Sequence, residues 1–231
     1  MGRLIESIAR SRGHEIACCI DAANQADFDS PEFAACDVAI EFTTPTTAAA
    51  NIRRAMDRGV AVVSGTTGWL EALPELRARA EKGDGTLFYA SNYSIGMNIF
   101  MAANRYVARL MDRFAEYAVS IRETHHIHKL DHPSGTAITL AEDIIGSTGR
   151  FGAWTETECG PAADTATIGI SNVREGEVPG IHEITWEGPV DTIRMEHSAK
   201  SREGLALGAV MAAEWVCGRK GFFGMADMLG L

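Results

Sequence analysis

Apolar and polar positions follow two different regimes along this chain. Leu4, Ile5, Ile8 and Ala9 recur at helical spacing and predict a first helix. A Gly13-His14 turn ends it, and residues 14–21 read as a buried strand closing on Asp21. A second strand is predicted over 36–42. It runs into Thr43-Thr44-Pro45-Thr46-Thr47, a polar turn suited to capping a helix over 47–58. The apolar run 59–64 precedes Gly65-Thr66-Thr67-Gly68. A helix over 70–82, a strand over 86–90 and the turn Ser91-Asn92-Tyr93-Ser94 complete this half. Strands alternating with helices predict a parallel sheet covered on both faces.

The second regime begins near residue 96. Met97, Ile99, Phe100, Met101, Val107 and Leu110 mark a core helix over 97–112, followed by a strand over 117–122 and a helix over 137–146. Residues 165–173, 181–187 and 192–197 then read as strands joined by Gly/Pro turns with no helix between them. That pattern predicts a mixed, mostly antiparallel sheet. A final helix over 203–217 is apolar enough to pack back on the first half. No internal repeat or low-complexity segment interrupts these patterns.

Helix, turn, strand and acid form the second half of a βαβ dinucleotide unit. Asp21 stands about 20 positions after Gly2, the usual distance from the glycine loop to the ribose-binding acid. As a turn residue after a strand, Asp21 has an equally good bland explanation. Ala22 and Ala23 follow with no arginine, which favours NADH over NADPH. Ligands of such sheets bind at the carboxyl ends of the strands. Asp21, Thr43-Thr44, Gly65-Thr66-Thr67 and Ser91-Asn92 all fall at that edge. One Thr/Gly/Asn turn is usually only a turn; four at one edge point to a site. The fold class expected is α/β, a Rossmann-like doubly wound parallel sheet without its first strand, joined to an α+β domain with the mixed sheet.

Composition narrows the partners. The chain has 231 residues, enough for one large or two small domains; 46% are hydrophobic and 23% charged, as in ordinary soluble domains. A net charge of −10 without Lys/Arg clusters argues against nucleic acid and against an anionic membrane surface. The five cysteines, Cys18, Cys19, Cys36, Cys159 and Cys217, are odd in number and include no C-x-x-C pair, so neither a disulfide framework nor a cysteine zinc site is expected. No apolar run is long enough to span a membrane, and the amphipathic start does not resemble a signal peptide. A cytoplasmic location is expected.

Chemistry concentrates in Glu123-Thr124-His125-His126-Ile127-His128-Lys129-Leu130-Asp131-His132-Pro133-Ser134-Gly135-Thr136-Ala137, which holds four of the seven histidines. A solvated loop is the usual setting for one histidine but a poor account of this density. A metal-dependent hydrolase is one alternative, because H-x-H followed by Asp131-His132 resembles a metallo-hydrolase ligand run built on His126, His128 and Asp131. Its spacing is one residue too long, and it leaves Pro133-Ser134-Gly135-Thr136 unexplained. Acid–base chemistry beside an anion site accounts for more. Ser134, Gly135 and Thr136 stand at the start of a predicted helix, where backbone N–H groups suit a carboxylate or phosphate. Lys129 adds positive charge, and His125 or His126 a proton. A small acidic substrate fits, and no metal is required.

The same stretch resembles the signature of the 4-hydroxy-tetrahydrodipicolinate reductase (dihydrodipicolinate reductase) family, E-x-H-H-x-x-K-x-D-x-P-S-G-T-A, with every fixed position present. His132 stands where alanine is commoner. Glu41-Phe42-Thr43 with Pro45, Gly65-Thr66-Thr67-Gly68, Ser91-Asn92-Tyr93-Ser94 and Ser201-Arg202 extend the resemblance over essentially the whole chain. It implies NADH- or NADPH-dependent reduction of a small cyclic dicarboxylate in lysine and diaminopimelate biosynthesis. By the same resemblance His125 is the catalytic acid and Lys129 the second catalytic residue. His126, Ser134, Gly135 and Thr136 hold substrate carboxylates, and Asp21, Phe42, Thr43, Gly65, Thr66, Thr67, Ser91 and Asn92 hold the cofactor. The layout implied is a dinucleotide-binding domain over 1–96, with 203–231 packing back on it, and a substrate-binding and oligomerisation domain over 97–202 that builds a homotetramer. One departure stands out. The family opens with a strand and a G-x-x-G-x-M-G loop, of which Met1-Gly2 alone is present. The expectation is a true start upstream of Met1, since a protein beginning there would bind the cofactor poorly and fold with difficulty; a cofactor-binding but inactive homologue is a further alternative. An intact mass of 24.9 kDa for the natural protein, with normal NADH-dependent activity, would refute it.

Overall fold

A computed structural model describes residues 1–231. In chain order its elements are α1 (Gly2–Ser11), α2 (Pro31–Ala34), β1 (Val38–Glu41), α3 (Pro45–Asp57), β2 (Ala61–Ser64), α4 (Leu73–Glu81), β3 (Thr86–Tyr89), α5 (Ile95–Met111), β4 (Ala118–His125), α6 (Gly135–Ser147), β5 (Ala153–Glu156), β6 (Thr167–Arg174), β7 (Ile181–Glu187), β8 (Thr192–Ser198), α7 (Glu203–Val216), β9 (Gly221–Phe223) and α8 (Met225–Leu229). They divide into two compact units. One comprises Met1–Asn98 and Glu203–Leu231, the other Ile99–Arg202. No helix is long and apolar enough to cross a membrane.

The first unit is built on a parallel sheet of order β1-β2-β3-β9. Its strands are short apolar runs because both faces are covered. Val62 and Leu87 enter one core with Ile52, Ala55 and Met56 of α3 and Leu76 and Ala80 of α4. Their neighbours Val63 and Phe88 point the other way, against Ile5 and Ala9 of α1 and Ala206, Ala209 and Val210 of α7. Each fully buried Val, Leu or Phe contributes about 1.5–3 kcal/mol. This is the doubly wound arrangement expected from the alternation of strands and helices. Glu41 pairs with Ser64, and Ser64 with Tyr89, so the carboxyl ends of the three strands lie level.

Two features of this unit differ from the sequence expectation. Residues 14–21 include no strand, and β1 is the sheet's outermost strand on that side. A strand exists only through a neighbour's hydrogen bonds, which apolar periodicity cannot supply. The segment's apolar residues pack instead: Cys18 and Ile20 against one core, Ile16 against the other. Conversely, β9 pairs with β3 through Thr86–Gly221, Leu87–Phe222 and Phe88–Phe223. Three residues are too few for a period to show in sequence.

The second unit carries a five-stranded mixed sheet of order β5-β6-β4-β7-β8. The β4–β7 and β7–β8 pairings are antiparallel, and the β4–β6 and β5–β6 pairings parallel. Consecutive β7 and β8 form a hairpin, whereas α6 lies between β4 and the parallel pair, as a crossover requires. One face is deeply buried. Val119, Ile121, Ile168, Ile170, Ile184 and Trp186 meet Ala137, Leu140, Ala141 and Ile144 of α6, each 1% exposed or less. Asn104 on α5 donates to the Leu140 carbonyl at 3.0 Å, tying the two helices. Strand β4 continues three residues past its expected end and carries Glu123 and His125 on the face of Val119 and Ile121.

Candidate active site

Strand periodicity places Glu123 and His125 side by side at the carboxyl end of β4. Both are buried, with Glu123 fully enclosed. The flanking strands supply their neighbours. Glu123 stands opposite His182 of β7, and His125 opposite Arg174 of β6. Glu123 Oε1 accepts from Arg174 Nη2 and from the Ser134 N–H, each at 3.1 Å. Its Oε2 lies 3.4 Å from His125 Nδ1 and 3.8 Å from His182 Nε2. Arg174 also donates to the carbonyls of Asp131 at 2.8 Å and Lys129 at 3.3 Å. One guanidinium therefore fixes both the buried carboxylate and the loop bearing Lys129.

Ser134 begins α6 as its N-cap; its Oγ accepts from the Ala137 N–H at 3.2 Å and lies 3.3 Å from His182 Nε2. Gly135 and Thr136 are the first two residues of the helix, so their N–H groups have no carbonyl within it to bond and are directed at its positive end. Lys129 Nζ donates to both oxygens of Asp131, at 2.8 and 2.7 Å. This bond holds the Asp131 carboxyl below the usual carboxylate range. His126 lines a pocket of about 360 Å³ with His128, Glu177, Pro179 and Arg202.

The four clustered histidines are not equivalent. His128 pairs with Glu177 at 2.9 Å and His132 with Glu156 at 2.8 Å, both in exposed positions. Burial lowers the pKa of His125; Glu123 opposes that shift, while Lys129, Arg174 and His126 reinforce it. His182 is lowered to about 3, chiefly by burial and secondly by His125. His182 is therefore neutral near pH 7 in the free protein. The ligand set His126, His128 and Asp131 is not assembled. Glu123, His125 and His182 form the one group of three metal-ligand-type atoms lying within 4.8 Å of one another.

In the first unit the carboxyl edge of the sheet is organised by Glu41, which is buried. Its carboxylate accepts from Ser64 Oγ at 2.6 Å, Thr66 Oγ1 at 2.9 Å and the Thr43 N–H at 3.0 Å, and from the Thr43 hydroxyl. Thr66 Oγ1 in turn accepts from the Thr43 N–H at 2.8 Å, joining the β1 and β2 ends directly. The Phe42 ring covers Gly65, where a Cβ would lie 2.2 Å from its Cζ. Thr67 and Ser91 are exposed at this edge, and Asn92 is half-buried with its Oδ1 accepting from the Ser94 N–H at 2.9 Å. Asp21 is exposed; its Oδ1 accepts from the Ala23 N–H at 2.7 Å. Glu41→Ala leaves several buried donors without an acceptor, and a loss of about 3 kcal/mol is expected. Thermal unfolding of the variant checks this; a shift in Tm below 1–2 °C, by the ~2–4 °C per kcal/mol scale of chains this size, would count against it.

Glu123 and Glu41 were named within sequence motifs but given no role, and Arg174 and His182 were given none either. Glu123 had a usable signal, since it precedes His125 by two positions on one strand face. Arg174 and His182 had none, being brought in by strand register.

Residues 1–93 match the family model for the N-terminus of dihydrodipicolinate reductase, and residues 96–229 that for its C-terminus. A 4-hydroxy-tetrahydrodipicolinate reductase of Christiangramia forsetii is 42% identical over 229 residues, covering 99% of this chain and 93% of its own. The Neisseria gonorrhoeae protein of the same name is 35% identical, covering 98% of this chain and 84% of its own. Among solved structures, dipicolinate-bound dihydrodipicolinate reductase from Paenisporosarcina sp. TG-14 superposes with a TM-score of 0.66 at 23% identity, covering 83% of this chain and 72% of that one, and shares the fold. Matched through both halves and at these identities, the chain belongs to the dihydrodipicolinate reductase family.

Proposed function

We propose that the protein reduces 4-hydroxy-tetrahydrodipicolinate to tetrahydrodipicolinate with NAD(P)H, a step of lysine and diaminopimelate biosynthesis. The observation that carries this reading is the second unit's cluster in a chain of this family. It combines a buried imidazole, a loop ammonium and a helix N-terminus, the parts needed to hold a dicarboxylate and protonate it. Replacing the 4-hydroxyl by hydrogen consumes one hydride and one proton and releases water. Reduced nicotinamide, when bound, supplies the hydride.

The first unit's edge fits that cofactor. Glu41 locks Thr43 and Thr66 in place, Phe42 packs the end of its ring on Gly65, and Asp21 presents a carboxylate suited to ribose hydroxyls. In our reading Asp21, Phe42, Thr43, Gly65, Thr66, Thr67, Ser91 and Asn92 hold the nucleotide. Asp21 followed by Ala22 and Ala23 favours NADH, because no arginine follows it in the chain to pair with a 2′-phosphate.

The substrate's own chemistry supports our reading of the second unit. Ser134, Gly135 and Thr136 receive one carboxylate at the start of α6, and His126 assists from its pocket. Negative charge that develops on the conjugated ring nitrogen is stabilised by Lys129 and quenched by a proton from His125. The enzyme is further proposed to work in the cytoplasm as a homotetramer assembled through the second unit's sheet, whose outward residues Arg122, Thr192 and Arg194 are exposed. NADH oxidation measured with freshly generated substrate tests the main reading. Turnover that survives a chelator is expected. Nucleotide binding without turnover would identify an inactive homologue, and chelator-sensitive hydrolysis without nucleotide a hydrolase.

A further inference from the structure

We propose that Glu123 is a positioning residue for His125: its buried carboxylate faces Nδ1 and thereby presents Nε2 at the space that Gly180 leaves open. The inference rests on the reading of His125 as the proton donor. Glu123 cannot turn away, because Oε1 is anchored by Arg174 and by the Ser134 N–H, each at 3.1 Å. Oε2 is left facing His125 Nδ1 at 3.4 Å, and neither atom has a hydrogen-bond partner. On the other side of the ring, a Cβ at residue 180 would lie 3.1 Å from Nε2 and 3.4 Å from Cδ2. Any side chain there would cover that nitrogen. His182 stands edge-on to His125, with ring centroids 5.1 Å apart, and limits its rotation.

The energetics run the same way. A buried carboxylate oxygen without a partner is costly, and it gains one when His125 carries a proton on Nδ1. A contact of 3.4 Å is loose, but catalytic hydrogen bonds commonly tighten only once substrate is bound. The groups acting on His125 are Glu123, Lys129, Arg174, His126 and its ring neighbour His182. Of these Glu123 alone is anionic, so it alone favours the imidazolium that donates. A metal would require the same three side chains in another role. Oε1 is already paired with Arg174, and His182 Nδ1 lacks the outer partner that fixes a metal-bound imidazole.

Glu123→Gln tests the proposal, since its amide oxygen still accepts from Arg174 and Ser134 while the charge is lost. A donor must be protonated, so activity is present below its pKa and lost above it. Removing the carboxylate lowers that pKa. The alkaline limb of the kcat profile is therefore expected to move to lower pH, with kcat down roughly tenfold at neutral pH and KM for NADH unaltered. In a His125→Asn background, Glu123→Gln is expected to add no further loss, because it acts through the imidazole. Gly180→Ala adds a methyl 3.1 Å from Nε2 and also strains the backbone, whose φ at 180 is +153°; with thermal unfolding read alongside to account for the strain, it is expected to reduce kcat without moving the limb, and it serves as the test where Glu123→Gln fails to bind NADH. An unmoved limb in E123Q, a full additive loss in the double variant, or an unaltered kcat in Gly180→Ala would overturn the proposal. A fully active His125→Asn enzyme would instead remove the assignment of His125 itself.

Discussion

Lys129→Ala is expected to lower kcat by about 10²–10³-fold, the range for loss of a preorganised group that stabilises developing charge, while NADH affinity barely changes. The side chain is mostly buried and held by Asp131 through both carboxylate oxygens, and its backbone carbonyl is gripped by Arg174. An ammonium so restrained costs little to reorganise when charge develops on the substrate. Lys129→Arg separates two roles. The guanidinium keeps the charge but does not release a proton in this pH range. Substantial recovery in the arginine variant would assign Lys129 to electrostatic stabilisation, and none would assign it to proton transfer. Steady-state kinetics with a separate NADH titration reads both. A large loss of nucleotide binding in Lys129→Ala would show that the role is misassigned.

Gly208→Ala is expected to be among the most destabilising single-methyl additions in the protein. A Cβ at this position of α7 would lie 1.8 Å from the Tyr93 carbonyl oxygen and 2.8 Å from its carbon. Backbone cannot swing aside as a side chain can. Tyr93 is itself fixed, being buried with its hydroxyl donating to the Ser64 carbonyl at 2.7 Å. Relief therefore requires α7 to lift from the core it shares with Val63, Phe88 and α1. Overpacking of this kind costs about 1–3 kcal/mol where a core can yield, and more where it cannot. The expected outcome is a fall in Tm of several degrees, or loss of soluble protein. Calorimetry or circular dichroism would show it, and an unchanged Tm would mean that the α7–Tyr93 contact is looser than described.

Local patterns made much of this molecule legible. The run Val60–Val63 and its successor Leu87-Phe88 read as strands buried on two faces, because each places alternate residues in two cores. Ser134 ahead of an apolar helix was readable as a cap, since capping is satisfied within four residues. Residues 14–21 show the opposite case. Their periodicity is that of a strand, yet no neighbour completes a ladder. The Glu41 network was equally hidden, as its four donors come from two strand ends separated by more than twenty residues.

By itself the sequence determined the α/β class, the succession of a parallel and a mixed sheet, and the family, because these rest on local periodicity and on one contiguous motif. It also placed a histidine, a lysine and a helix start within a dozen residues, which proximity along the chain guarantees to be neighbours. Only the tertiary structure decided which strands flank β4. Register between distant strands set His182 opposite Glu123 and Arg174 opposite His125, and so turned a glutamate in a motif into a buried carboxylate shared by two imidazoles and an arginine. Hydrogen bonds between strands are indifferent to side-chain identity; it is the burial of whole faces that selects the register, and burial is a property of the folded chain.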